Sequence, residues 1–495
     1  MNLPAHLTTT GSSYPADSPS PADSSSPAGR YLDDCRALLD AVARAGIEVA
    51  DLHGVRESLD ALTVSADGGR AERAGVTVTT RLRVWLDGRQ ATVLLADPAA
   101  ADPEETAALA RALARRATAA PGTASPAVVD GAPTVTDGVP AVTDGVTTVT
   151  DGVTTGLLPG PAGTEAPLPA QDRLAPLVRT LAARRSGPAA LGTEHVRTHR
   201  CTVIARTPER AVGFEHVQHH VWHWREGLGG HRLDGLTAPA FADLDFARLD
   251  DRTDEFLALH TALHTAVREP LGRQGRIRVL LRPEVAAHLV RSLGFLLCAG
   301  NVLSGMRPLL ERIGRRIAAP AVTLVDDPLL PGGSESAPVD AEGTPTARAL
   351  LLEEGRLRGF LTNRAGAAAL GVTPTGAARC PNLARRTLEG PSNILLAEGT
   401  VSPAELRDQL DDGLEAVAVT QPGRIRGRRG TFVTEVLGWR IRGGRRVHPV
   451  GPVRLSLGIF ELLRSVEATG NDAVASYLAT GARTPSVLVG GMEVG

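Results

Sequence analysis

The chain has 495 residues, of which 42% are hydrophobic, 22% charged and only 3% aromatic; this is the balance of a soluble globular protein, and the length suggests two to four domains. Its 53 basic residues against 55 acidic ones leave a formal charge of -2, so no global field recruits nucleic acid or an anionic membrane, and the shortage of aromatics speaks against a stacking platform for single strands. Every one of the 53 basic residues is an arginine. Without a lysine amine, Schiff-base chemistry, a pyridoxal-phosphate lysine and a Walker A loop are all excluded.

Cys35, Cys201, Cys298 and Cys380 stand far apart with no CxxC pair, which predicts buried thiols in a reducing compartment rather than a zinc ribbon or a disulfide framework. The first residues show neither a basic start nor an apolar stretch, and the longest apolar run, 293–302, is interrupted by glycine and asparagine. A soluble, cytoplasmic protein without a membrane span is expected.

Residues 1–29 are rich in Ser, Pro, Ala and Asp and read as a disordered tail, because they cannot bury enough apolar area to offset their ordering entropy. From Tyr31 to Ile47 a helical stripe follows, carried by Leu32, Cys35, Leu38, Leu39 and Val42. Strand-like runs at 61–65 and 75–86 come next; the second ends at Asp87-Gly88, a hairpin turn, with 90–96 as its returning partner. Asp102-Pro103-Glu104-Glu105 opens a helix over 107–117. Residues 30–119 therefore form an N-terminal α+β module.

Between 120 and 170 the pattern breaks into VTDGV repeats at a period of seven, set among prolines. Three repeats with one acid each read as a low-complexity linker in preference to a β-solenoid or a calcium site. Residues 171–269 form a middle module: a helix at 174–185, strands at 201–205 and 212–224, a loop at 243–248 and a helix at 254–268. The remainder, 270–495, opens with a strand at 276–281 and a helix at 283–297. Short strands and Gly/Pro turns then follow from 321, with one more helix at 458–470. The fold class is α+β, with a large β-rich C-terminal domain.

The C-terminal segments, in their order, carry a family resemblance. The run 277–281, Pro283 and Leu289 is followed by Asp326-Asp327-Pro328, by Asp340, Glu342 and Gly343, and by the Glu354-Gly355 turn. Pro391-Ser392-Asn393, Glu398-Gly399, Gly438-Trp439 and Glu467-Ala468-Thr469-Gly470-Asn471-Asp472 continue the series, and 485–489 closes it. Together with the block at 62–96 they resemble the TldD/PmbA (TldD/TldE) family, described as metallopeptidases and as modulators of DNA gyrase. The similarity covers most of 30–119 and 270–495.

In that family one type of subunit carries a His-Glu-x-x-x-His motif on the helix after the first C-terminal strand, where two imidazoles bind zinc and the glutamate acts as general base. Laid over this chain, the motif falls on Arg291, Ser292 and Leu296, none of which can serve. No His-Glu dipeptide occurs anywhere, and no cysteine follows Cys380 to supply the family's C-terminal ligand. The resemblance thus implies a TldE/PmbA-type subunit with no catalytic or metal-binding residue of its own. A TldD-type partner would supply zinc in a heterodimer that processes unfolded or modified peptides. The alternatives are a stand-alone peptidase or hydrolase with a relocated site, and a non-enzymatic modulator of a gyrase or toxin system.

Candidate relocated ligands are His260 and His264, one helical turn apart, and His219 and His223, which alternation places on one face of a strand. The plainer reading makes the first pair a solvent-facing helix pair and puts the second in a sheet with one partly exposed face. The arginine-rich runs 424–429 and 440–446 read as exposed hairpin tips, and Asp326, Asp327, Asp340 and Glu342 as turn and capping residues. Cys298 reads as core.

Overall fold

The computed structural model describes residues 27–47, 49–65, 67–87, 89–117, 156–158, 168–182, 191–207, 210–225, 232–265, 275–380, 383, 387–426 and 430–495. Most of the expected N-terminal tail and the VTDGV repeats lie outside these residues.

The N-terminal half runs α1 (Pro27–Arg44), β1 (Val49–Val64), β2 (Arg70–Leu86), β3 (Arg89–Leu95), α2 (Pro103–Arg116), β4 (Gly156–Leu158), α3 (Ala170–Ala182), β5 (Leu191–Ala205), β6 (Ala211–Arg225), β7 (Arg232–Ala238) and α4 (Phe246–Thr265). Asp102 caps α2, accepting the amides of Glu104 and Glu105, with Pro103 at the first helical position. The strands build one seven-stranded sheet in the order β3-β2-β1-β5-β6-β4, with β7 on β6. The N-terminal and middle modules drawn separately from the sequence therefore share a sheet, joined by thirteen paired positions from Leu52↔Ala205 to Val64↔Thr193.

Several details differ from the sequence reading, among them β5, which reaches back to Leu191 where only 201–205 was expected, and β7, which was not expected. β1 extends back to Val49, through residues that carried no strand pattern. Gly156–Leu158, inside the expected linker, pair in parallel with 212–214 of β6. The helix expected at 254–268 is α4, which begins at Phe246 and takes in part of the expected loop.

The C-terminal half opens with β8 (Arg276–Leu281), α5 (Pro283–Leu296), α6 (Ala299–Gly305), β9 (Leu324–Asp326), β10 (Ala349–Glu353), β11 (Arg356–Leu357), α7 (Arg364–Leu370), β12 (Ala378–Arg379), β13 (Leu388–Glu389) and β14 (Ile394–Leu396). It continues with α8 (Pro403–Leu410), β15 (Gly413–Arg426), β16 (Thr431–Arg442), β17 (Arg445–Gly458), α9 (Ile459–Arg464), β18 (Val466–Thr469), β19 (Val474–Ala475), β20 (Ala482–Thr484) and β21 (Val487–Val494). One six-stranded sheet has the order β11-β10-β9-β14-β20-β19; the other has β17-β16-β15-β8-β21-β18. The long β15–β17 meander replaces the short strands expected there. The helix expected over 458–470 ends at Arg464 and gives way to β18, which pairs with β21.

Helix α5 lies between the two sheets, against β15 on one side and β14 and β20 on the other. Val285, Ala286, Ala287, Leu289, Val290 and Leu293 are all buried, so the helix is apolar nearly all round, as a helix enclosed by sheets must be. Gly294 is required by this packing: a Cβ there would stand 2.8 Å from the Pro391 side chain. The N-terminal sheet is covered on one face by α1 and α2 and meets the C-terminal half on the other, where Ala61, Val196 and Trp222 pack with Tyr477. No helix among the described residues is long and apolar enough to cross a membrane.

Candidate functional site

The start of α5 faces a cleft of about 530 Å³ between α4 and the C-terminal meander. Pro283 begins the helix and Glu284 occupies its first turn, where an acid complements the positive dipole end. Glu284 is held by Arg252 of α4 and by the Ser476 hydroxyl at 2.6 Å. Phe256, Val417, Val419, Leu437, Val474 and Leu478 give the cleft apolar walls, and Arg248, Arg252, Glu255 and Asp472 a charged rim. Such a mixture suits a ligand with apolar side chains and a polar main chain.

The backbone at this cleft is also open to pairing. On the side away from β16, β15 is bound by β8 only at Leu414, Glu415 and Ala416. Residues 417–420 continue the strand along the cleft with that edge unpaired among the described strands. An extended chain can add to such an edge.

Beside the cleft, Glu415 is fully buried and satisfied by arginines. Arg446 donates to it at 2.8 and 3.0 Å, and Arg282 and Arg407 stand 3.8 and 3.7 Å away. Arg446 also pairs with Glu255 of α4 and lies over the Trp439 ring, 5.6 Å from its centroid. Burial works against the Arg446 charge, yet the two carboxylates prevail and raise its pKa. Arg440 is likewise buried and donates to the Gly413 carbonyl at 2.8 Å. The run 440–446 is a hairpin tip as expected, turning at Gly443-Gly444 with Arg442 and Arg445 exposed, but Arg440 and Arg446 point inward and fasten the meander, Arg446 to α4.

The three positions under the family motif are placed together on α5 and serve packing. Arg291 is largely buried, donates to the carbonyls of Ser392 at 2.8 Å and Pro391 at 3.4 Å, and lies over Phe295. Ser392 in turn donates its amide and hydroxyl to the buried Asp326 carboxylate at 2.7 and 2.9 Å. Burial pushes the Asp326 pKa up to about 6, against the opposing pull of Arg379 and of these hydrogen bonds. Ser292 faces the Gly423 carbonyl at 3.4 Å, and Leu296 packs on the core. A guanidinium, a hydroxyl and an alkyl chain do not fit a zinc ion that requires imidazole, carboxylate or thiolate donors.

The relocated-ligand candidates His219 and His223 do not converge. His260 lines the cleft and stacks on Phe256 at 6.1 Å, so it is not simply solvent-facing. His264 is in the same helix, but its side chain lies outside the described residues. His219 meets His195 at 3.1 Å, whereas His223 meets Thr253 of α4 at 3.0 Å; each is fully buried, and they form no common site. The partly exposed face expected for this strand is absent, because Phe241 packs against His195 and His219 on one side and Tyr477 against Trp222 on the other. Asp340 behaves as expected, accepting the amides of Glu342, Thr344 and Ala378. Cys35, Cys201 and Cys298 are buried.

The sequence reading passed over Glu284 and His288. They sit one turn apart on α5, and the buried His288 is held below its ordinary pKa by desolvation. The Glu-x-x-x-His spacing at a helix start was the available signal.

The C-terminal half, which holds α5 and most of the cleft, has known relatives. The PmbA/TldA metallopeptidase C-terminal domain matches residues 274–495. A metalloprotease of Methanothermobacter thermautotrophicus is 32% identical over 201 residues, which is 40% of this chain and 43% of that protein. Metalloprotease PmbA of Escherichia coli O157:H7 is 25% identical over 194 residues, 39% of this chain and 41% of that protein. The chain spans less than half the length of these curated relatives. In fold, TldE from Thermococcus kodakarensis superimposes with a TM-score of 0.68 at 15% identity, covering 93% of this chain and 99% of that one. A Bacteroides thetaiotaomicron protein described as a candidate modulator of DNA gyrase gives 0.73 at 16% identity, covering 95% and 99%. Residues 274–495 thus carry a PmbA/TldA metallopeptidase C-terminal domain, and the whole described chain shares the fold of TldE.

Proposed function

We propose that this chain is the TldE/PmbA-type, non-catalytic subunit of a two-component zinc metallopeptidase of the cytoplasm, working with a TldD-type partner on unfolded or modified peptides. The observation that carries this reading is the state of α5. Arg291 is committed to the Pro391 and Ser392 carbonyls, while Ser292 and Leu296 bring no metal donor to the place where the family motif falls. The partner would hold the zinc, which activates water for peptide hydrolysis.

The part left to this chain is to hold substrate. Apolar walls at Phe256, Val419 and Leu478 accept side chains, and the open edge at 417–420 accepts main-chain hydrogen bonds. That mode reads backbone more than sequence and favours chains without structure of their own. Co-expression with a TldD-type partner tests the reading by size-exclusion chromatography and cleavage of an unfolded casein. A stable complex with zinc-dependent activity that neither chain shows alone is expected. Activity of the partner that is indifferent to this chain would overturn it.

A further inference from the structure

A second cluster, unrelated to α5, lies in the N-terminal sheet. His199 and Cys201 are two residues apart on β5 and so point to the same face. Glu215 of β6 is directly opposite Cys201 in the ladder, and so shares that face. The three side chains close on one another: His199 Nε2 lies 3.1 Å from Glu215 Oε2, Cys201 Sγ 3.8 Å from His199 Nε2, and Cys201 Sγ 3.8 Å from Glu215 Oε1. Among the described residues this is the one set of three or more His, Cys, Asp and Glu side chains within reach of a shared ion.

These distances are close to those a tetrahedral zinc site requires. Bonds of about 2.3 Å to sulfur and about 2.0–2.1 Å to nitrogen and oxygen place tetrahedral neighbours roughly 3.3–3.6 Å apart. Each pair in the cluster is within half an ångström of that range. We propose that His199, Cys201 and Glu215 bind one zinc ion, with the fourth position left to water.

The surroundings suit it. Thiolate and carboxylate together neutralise the ion, so the complex carries no net charge into its apolar setting beside α1, where Cys201 packs. Cys201 is 1% exposed, but His199 and Glu215 keep about 15% of their side-chain surface, which leaves the ion a way in. The backbone of Ala28, at the start of α1, hydrogen-bonds Glu215, and Arg56 stands opposite Cys201 on β1 within reach of the sulfur. The ion would thus tie β5 and β6 together, with Ala28 of α1 bonded to one of its ligands, at a place separate from α5.

The test uses the full chain expressed in zinc-supplemented medium, passed through gel filtration and assayed for metal. About one zinc per chain is expected, and cobalt substitution should give a thiolate-to-cobalt charge-transfer band. Cys201→Ser and His199→Gln, each shown by circular dichroism to be folded, should weaken zinc binding roughly a hundredfold or more. Zinc should raise the melting temperature of the parent and not of these variants. If Cys201→Ser does not fold, Glu215→Gln, which keeps a hydrogen bond to His199, replaces it. Zinc well below one per chain, no thiolate band, or zinc retained by the folded variants and lost in His260→Gln would each overturn the proposal.

Discussion

Arg291, the residue under the first position of the family motif, is a strut of the C-terminal half. Its guanidinium fixes the turn at Pro391 and Ser392, and Ser392 fixes Asp326 at the end of β9. Arg291→Ala would leave both carbonyls without this donor, and charge-assisted hydrogen bonds of this kind contribute about 1.5–3 kcal/mol. A loss of that size in urea unfolding is expected. Placing His, Glu and His together at 291, 292 and 296 removes the same strut and supplies no thiolate, so the triple variant should be less stable and inactive on casein with zinc. Buried histidines set the acid limit. His195 is held down to about 3 and His219 to about 4, first by burial and then by neighbouring positive charge. Because the unfolded chain takes up these protons near pH 6.5 and the folded chain does not, stability is retained above that pH and lost as it falls towards 4. The slope is up to about 1.4 kcal/mol per pH unit for each ring. Urea midpoints at pH 7 and pH 5 check this; a His195→Gln, His219→Gln double variant should show a shallower fall. The sequence disclosed Arg291, Ser292 and Leu296 through their place in a motif. It did not disclose what Arg291 grips, because Ser392 is a hundred residues away.

At the scale of elements, legibility followed pattern. Helix α2 announced itself by Asp102 and Pro103, and α5 by Pro283 and its continuous apolar run. The first three-quarters of β1 did not, since Asp51, His53, Arg56 and Glu57 look like a surface loop until β2 and β5 lie on either side. Asp51 pairs with Arg83, and Glu57 with Arg200, so these charges are matched across strands, a relation no local window contains. The cleft was hidden for the same reason: α4, the start of α5 and residues 417–420 meet only in space. Its function can be probed at one wall. Leu478 is 43% exposed, so Leu478→Glu should leave melting unchanged within about 2 °C. If the cleft holds substrate, the same change should raise KM for casein peptides roughly tenfold in the two-subunit enzyme. An unchanged KM would remove this wall from the binding surface.

For the whole molecule, the boundary placed at 120–170 separates segments of sequence and not bodies of structure. Strands on both sides of it share one sheet, joined at β1 and β5, and Gly156–Leu158 add to β6. Removal of 123–150 should shift the melting temperature by no more than about 3 °C, because composition of that kind supports little burial. Extending the deletion to 168 should cost clearly more, since it takes away β4 and the packing of Leu168. The C-terminal half is where the family is written, over 274–495, while the N-terminal sheet supplies α4 and with it one wall of the cleft. The division of labour between two subunits is the central claim, and zinc-dependent cleavage of unfolded casein by this chain with and without a TldD-type partner tests it most directly. Activity that appears only in the complex, and that is lost when the partner's zinc is removed, is the predicted result; zinc-dependent cleavage by this chain alone would contradict it.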